Sequence, residues 1–245
     1  MSKDISALEL MVIDVKSALD LLESSDLIIE GRLVDASNAS LLCTLENGSS
    51  NARAIYKPVA GERPLWDFPD GQLAFREVAA FLISEMGSFH LIPPTVFRDG
   101  PFGPGAVQLW IDVDEDADLV AFGQSADPQL RSMALLDSVL NNTDRKFGHL
   151  LLTSEGRLFG CDHGVTLHSD DKLRTVLWQW SGEDLQPNEI LQLQGLLKSI
   201  DHSDLHEWIT STEISSLKAR IQRLIDAKKF PEPSEDWPAV PWPPY

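Results

Sequence analysis

Asn142-Thr143-Asp144-Arg145 is followed, eighteen residues after Asp144, by Cys161-Asp162-His163-Gly164. Between the two runs, His149-Leu150-Leu151-Leu152-Thr153 reads as a short strand, Ser154-Glu155-Gly156-Arg157 as a turn and Leu158-Phe159-Gly160-Cys161 as the returning strand. Such a hairpin carries Asp144 and Asp162 to one rim of a cleft. Either aspartate alone in a loop is an ordinary turn former. Two carboxylates delivered together to one rim point to divided chemistry, one carboxylate for a proton and one for a cation.

Working outward, Arg53-Ala54-Ile55-Tyr56-Lys57-Pro58 alternates as a strand that ends in Lys57. Phe75-Arg76-Glu77-Val78-Ala79-Ala80-Phe81-Leu82 then opens an amphipathic helix with Glu77 near its start. Read singly, Lys57 is an exposed strand lysine and Glu77 a first-turn acid favoured by the helix dipole. Read together, a lysine at a strand end and a glutamate on the next helix form the ion pair that fixes nucleotide phosphates in kinases.

The order Tyr56-Lys57-Pro58, Arg76-Glu77, Ile92-Pro93-Pro94-Thr95, Gln108-Leu109-Trp110, Asn142-Thr143-Asp144-Arg145 and Asp162-His163-Gly164 resembles the phosphatidylinositol 3-/4-kinase-like superfamily. Its motif wording is nearest to type II phosphatidylinositol 4-kinases. Over nearly its whole length the chain is also similar to a small actinobacterial family of phosphatidylinositol-kinase-like proteins. The resemblance implies an α+β, bilobal protein-kinase-like fold with an antiparallel N-lobe sheet and a mostly helical C-lobe. It implies that Lys57 contacts ATP phosphates, that Glu77 orients Lys57, and that Gln108, Leu109 and Trp110 lie against adenine, although the same stretch reads equally as a buried strand with a core Trp. Asp144 would take or orient the acceptor proton, Arg145 would act beside it as a structural or charge-stabilising partner, and Asp162 would hold a metal, Mg²⁺ or Mn²⁺. Fold ancestry does not establish a lipid substrate.

Two histidines depart from the pattern. Five residues after Asp144 the lipid kinases carry a metal-binding Asn, and here stands His149. Imidazole matches Mg²⁺ poorly and Mn²⁺ better. If His149 is a ligand, activity should follow its titration near its ordinary pKa of about 6.5. His163 replaces the usual aromatic or Asn and reads as a packed residue, while Gly164 would let the chain turn sharply after Asp162. No GxGxxG or P-loop is present. The turn containing Ser37 and Asn38 would instead offer backbone N–H groups and hydroxyls to phosphate, as in the lipid-kinase relatives.

The chain has 245 residues, enough for one core divided between two lobes, and is read as a single kinase-like domain. Its expected parts are an N-terminal helix (1–26), N-lobe (27–110), C-lobe (111–229) and extended Pro/Trp-rich tail (230–245). The tail would lie along the C-lobe through Trp237 and Trp242, and offers a surface for a protein partner. Residues 187–228 read as helical throughout. No apolar run of membrane-spanning length and no basic, apolar leader is seen, so stable membrane insertion is not expected and the cytoplasm is the default location. Cys43 and Cys161 lack metal-ligand spacing and read as reduced core residues.

A formal charge of −18 opposes nucleic acid and anionic membranes. Lys172, Arg174, Lys218, Arg220, Arg223, Lys228 and Lys229 are the candidates for a local basic patch, or else a solvated helix face. The expected activity is transfer of the ATP γ-phosphoryl group to a hydroxyl of an unknown acceptor: protein, small molecule or phosphoinositide. The competing readings are a nucleotide-binding pseudokinase and a nucleotidyl transferase.

Overall fold

The computed structural model describes residues 3–4, 15–33, 39–48, 50–69 and 71–245. Within them lies an α+β, two-lobed architecture. Strands β1 (Lys3–Asp4), β2 (Asp26–Arg32), β3 (Leu41–Asn47), β4 (Ser50–Pro58), β5 (Thr95–Gly100) and β6 (Gly103–Leu109) make one sheet in the order β2-β3-β4-β6-β5, and β1 pairs in parallel with the start of β4. All other neighbours are antiparallel. Along β3 the side chains of Leu41, Cys43 and Leu45 are buried and their neighbours are half-exposed, the period of a sheet wet on one face. Onto the dry face packs helix α1 (Val15–Ser24) through Ala18 and Leu22. Of the N-terminal helix expected over residues 1–26, Val15–Ser24 is helical, Lys3–Asp4 is strand instead because it pairs with β4, and residues 5–14 lie outside the described residues.

Helix α2 (Leu73–Met86) is the hinge between two cores. Ala74 and Val78 pack against Ala106 of the sheet, whereas Ala79, Phe81 and Ile83 enter the large core of the second lobe. A helix buried on nearly every side reads as weakly amphipathic, and so it is. Beyond β6 come the short α3 (Leu119–Gly123), α4 (Pro128–Leu140), the hairpin β7 (Leu150–Leu152) and β8 (Leu158–Gly160), α5 (Pro187–Ile200) and α6 (Ser211–Ala227). Asp118 caps α3, accepting from the Val120 and Ala121 N–H groups. Asp127 caps α4, accepting from the Gln129 N–H at 2.8 Å, with Pro128 in the first turn.

The continuous helix expected over 187–228 is broken. Asp201 ends α5, and Thr210 starts α6 with a capping box in which its hydroxyl meets the Glu213 N–H and Glu213 returns a carboxylate oxygen to the Thr210 N–H at 2.8 Å. Glu213 has a second task. It pairs with Arg76 of α2, which is 1% exposed, stacks on Phe68 and donates to the Thr166 carbonyl at 2.8 Å. One carboxylate therefore caps a C-lobe helix and neutralises an N-lobe arginine.

Burial alone would raise the Glu213 pKa, but hydrogen bonds from Arg76 and Thr210 outweigh it and hold it below the ordinary glutamate range. The depressed group stabilises the fold fully above its unfolded pKa of about 4.3, and that contribution is lost as pH falls through the folded value. Glu213→Ala should cost about 3–5 kcal/mol by leaving Arg76 buried and unpaired. Thr210→Ala, which removes only the cap, should cost about 1 kcal/mol. Urea titrations at neutral pH compare the two, and equal losses would remove the interlobe role of Glu213.

Candidate active site

The sequence of α4 ends where the site begins. Asn141 takes left-handed backbone (φ 52°) as its C-cap, and its side-chain amide holds the carbonyls of His168 and Asp170 while accepting the Lys172 N–H at 2.8 Å. Asp137, fully buried one turn earlier, receives the Asn142 amide at 3.0 Å, the Thr175 hydroxyl at 3.3 Å and the Arg145 guanidinium at 2.9–3.2 Å. Arg145 also donates to the carbonyls of His149 and Cys161 and to His163 Nε2 at 2.7 Å. Of its two expected roles Arg145 occupies the structural one: it is wholly buried and does not line the cleft.

Asp144 projects from this anchored loop. Its backbone N–H meets Asn142 Oδ1 at 3.0 Å and its carboxylate lies 3.1 Å from Lys146 Nζ. Across the hairpin stands Asp162, itself in left-handed backbone at φ 61°. Gly164 lies in the turn that follows, without left-handed backbone of its own. Its small size serves close approach to α2, because an added Cβ would sit 3.3 Å from Leu73 Cβ and 3.6 Å from Glu77 Oε1.

Lys57 reaches from β4 to Asp162 Oδ1 at 3.1 Å and also pairs with Glu77. The other oxygen of Glu77 accepts the His163 N–H at 3.1 Å. Burial would lower the Lys57 pKa, but the two carboxylates more than offset it and the ammonium is held charged. Lys57 in turn holds the Asp162 carboxyl well below the carboxylate range, helped by His149. Burial, then Arg145, pushes His163 well below the imidazole range, so it is the neutral acceptor for that arginine. Burial pushes the Cys161 thiol up to about 11.

These groups line a cleft of about 830 Å³ between the lobes, within the size range of small-molecule sites. Lys57, Glu77, Gln108, Asp144, His149 and Asp162 all face it. Leu109 and Trp110 do not. Leu109 belongs to the N-lobe core, and Trp110 turns outward beneath Arg53 with its indole N–H on Asp112 at 3.0 Å. Their backbone N–H groups are already spent on the Pro94 and Arg53 carbonyls. Ser37 and Asn38 lie outside the described residues.

His149 Nε2 stands 3.6 Å from Asp162 Oδ2. Burial lowers its pKa, so the imidazole stays neutral below its ordinary value as well as above it, and the expected titration near 6.5 moves to lower pH. A neutral imidazole and an ionised carboxylate face to face fit a divalent cation. Among the described residues no three His, Cys, Asp or Glu side chains converge on one point, so such a cation would complete its shell with phosphate oxygens and water.

The loop before α2, whose Trp66 and Phe68 read in the sequence as able to fold over a nucleotide, lines the cleft with Trp66, Asp67 and Phe68, and Arg174 and Trp237, which sequence reasoning did not bring there, line it too. Lys172 holds Asp67 at 3.0 Å and lies over the Trp66 ring at 4.8 Å and the Trp237 ring at 5.2 Å. The tail is extended as expected, fastened by the Ala239 carbonyl to the Thr175 N–H and the Trp178 indole, and by the Pro244 carbonyl to the Phe147 N–H. Trp237 approaches the cleft, but Trp242 is 86% exposed and anchors nothing: Pro241 before it is the residue that is buried. Most of the candidates for a basic helix patch are answered by carboxylates. Lys218, Arg220, Arg223 and Lys229 are each paired with an aspartate, and Arg220 is buried.

Comparison with known proteins accords with this fold. The chain is 37% identical to Protein Rv2133c of Mycobacterium tuberculosis, across 91% of this chain and 93% of that one. It is 26% identical to Phosphatidylinositol 4-kinase gamma 4 of Oryza sativa subsp. japonica over 63% of this chain, a stretch that spans 31% of the plant protein. Among solved structures it is similar to the Golgi casein kinase (TM-score 0.58, 14% identity, 87% of this chain and 74% of that one), and to the same kinase with Mn/ADP bound (TM-score 0.57, 13% identity, 87% and 75%). No family model matches the chain. Among the described residues no helix is long and apolar enough to cross a membrane.

The buried pair beneath the loop carries its own test. Asp137→Asn keeps the side-chain shape but strips the counter-charge from Arg145, and should cost about 3–5 kcal/mol in chemical denaturation. A loss under about 1 kcal/mol would show that the hydrogen bonds suffice without the charge.

Proposed function

Because the chain belongs to the family of Mycobacterium tuberculosis Protein Rv2133c and carries a kinase-like fold, we propose that it is an ATP-dependent phosphotransferase that moves the γ-phosphoryl group to an acceptor hydroxyl. The observation that carries this reading is Lys57 bridging Glu77 and Asp162 in a cleft whose opposite rim holds Asp144. Lys57, held charged, binds phosphate oxygens and Glu77 aims it. Asp162 and His149 would hold a divalent cation, which supplies charge neutralisation for the phosphates when bound. Asp144, whose carboxylate lies 3.1 Å from Lys146 Nζ, takes or orients the acceptor proton. The relative solved with Mn/ADP supports nucleotide and a divalent ion as the ligands sought.

Incubation with ATP labelled separately at the α- and γ-positions, with Mg²⁺ or Mn²⁺, decides the reaction. Transfer of the γ-label supports the proposal. Transfer of the α-label would replace it by nucleotidyl transfer, and no transfer with intact binding by a pseudokinase.

Asp162→Asn should abolish metal-dependent ATP binding, and Lys57→Met should weaken it. Asp144→Asn should leave ATP binding in place and lower turnover by about 10²–10⁴-fold. Calorimetry and turnover on the same preparations separate the roles, and unchanged turnover in Asp144→Asn would remove it as the base.

His149→Asn exchanges a nitrogen donor for an oxygen. It should shift the preference from Mn²⁺ towards Mg²⁺, read as the ratio of nucleotide affinities with the two ions. An unmoved ratio would leave Asp162 as the single protein ligand.

A further inference from the structure

Cations at the cleft are mostly answered. Lys57 meets Glu77 and Asp162, Lys146 meets Asp144, and Lys172 meets Asp67. Arg174 is different: among the described residues its guanidinium has no carboxylate or carbonyl partner, and its buried Nε–H is unsatisfied. The backbone of Arg174 is pinned where this matters. Its N–H donates to the Asn142 carbonyl at 2.9 Å and its carbonyl accepts the Arg145 N–H at 3.1 Å, two bonds that straddle Asp144. A second unsatisfied donor lines the same cleft, the indole N–H of Trp237. Buried donors without acceptors are rare because each forfeits a hydrogen bond it had in water. Both residues line one cleft, and a guanidinium left unanswered there calls for an anionic oxygen.

We propose that Arg174 and the Trp237 N–H bind a phosphate group carried by the acceptor, and so select a phosphorylated, hydroxyl-bearing substrate and hold its hydroxyl beside Asp144. The proposal rests on the phosphotransferase reading and names the acceptor class of the same site. The guanidinium fork suits phosphate geometry, and the indole adds one directed donor. The phosphate can belong to a soluble phosphoester or to a lipid headgroup.

Calorimetry on the full chain saturated with ADP tests it, using inorganic phosphate, glycerol 3-phosphate and glycerol as probes. Phosphate and glycerol 3-phosphate should bind and glycerol should not. Arg174→Gln should lose about tenfold or more in phosphate affinity at unchanged ADP affinity. Arg174→Lys should recover part of the loss, and Trp237→Phe, which keeps a ring and removes the N–H, should show a smaller loss. Equal phosphate affinity in wild type and Arg174→Gln overturns the proposal, as does absence of phosphate binding by wild type, or an ADP loss as large as the phosphate loss. Sedimentation with vesicles of phosphatidylcholine, with and without phosphatidylinositol, separates the sources: Arg174-dependent pelleting that requires phosphatidylinositol identifies the headgroup, and phosphate binding without pelleting identifies a soluble phosphoester. If wild type binds no ADP, the phosphotransferase reading fails by itself, and the phosphate titration repeated without nucleotide still decides Arg174.

Discussion

A carboxylate with no exposed surface needs a counter-charge and hydrogen bonds on both oxygens, and Asp137 finds them in Arg145, Asn142 and Thr175. Those partners come from the loop after α4 and from the segment after the hairpin. Arg145 extends the constraint to both ends of the hairpin through the His149 and Cys161 carbonyls. Asp144 sits between Asn142 and Arg145 and has no freedom to wander. The reactive rim is thus set by a charge pair that never touches solvent, and precision at the surface comes from electrostatic demand in the core.

Local pattern carried the sequence reading far. The hairpin at 150–160, the strand that carries Lys57 and the helix bearing Glu77 stand where local pattern put them, and the resemblance carried by the motif order implied two lobes around one cleft. Legibility ended where position depends on distant chain. Arg174 and Trp237 are sixty-three residues apart, and neither periodicity nor a short motif says that both meet the cleft. Leu109 and Trp110 fell out of the cleft because the β4–β6 ladder and the Pro94 and Arg53 carbonyls consumed their backbone groups. The apparent single helix over 187–228 broke at a capping box whose Thr210 and Glu213 were readable signals. The weight of apolar residues on either side masked them.

Net charge proved a poor guide to local electrostatics. A surplus of eighteen negative charges coexists with a cleft where several cations converge, because most basic side chains are spent on internal pairs. Arg76, Arg145 and Arg220 are buried structural ions, and the helix surface that looked basic along the sequence is neutralised in space. What an approaching molecule meets is therefore a negative exterior and a cleft whose lining sets Lys57 and Arg174 among the carboxylates of Glu77, Asp144 and Asp162.

Among the described residues, the ion pairs Lys57 to Asp162, Lys172 to Asp67 and Arg76 to Glu213 cross from one lobe to the other. Except for the half-exposed Asp162, their side chains have little contact with solvent, so added salt screens them weakly. Parting the lobes would strand opposite charges in a medium of low polarity before water could reach them. The breathing of this cleft is then an activated event with its own barrier, slow compared with loop motion and nearly indifferent to ionic strength, and the dwell time of anything enclosed is governed by the lobes' release of each other as much as by its own contacts.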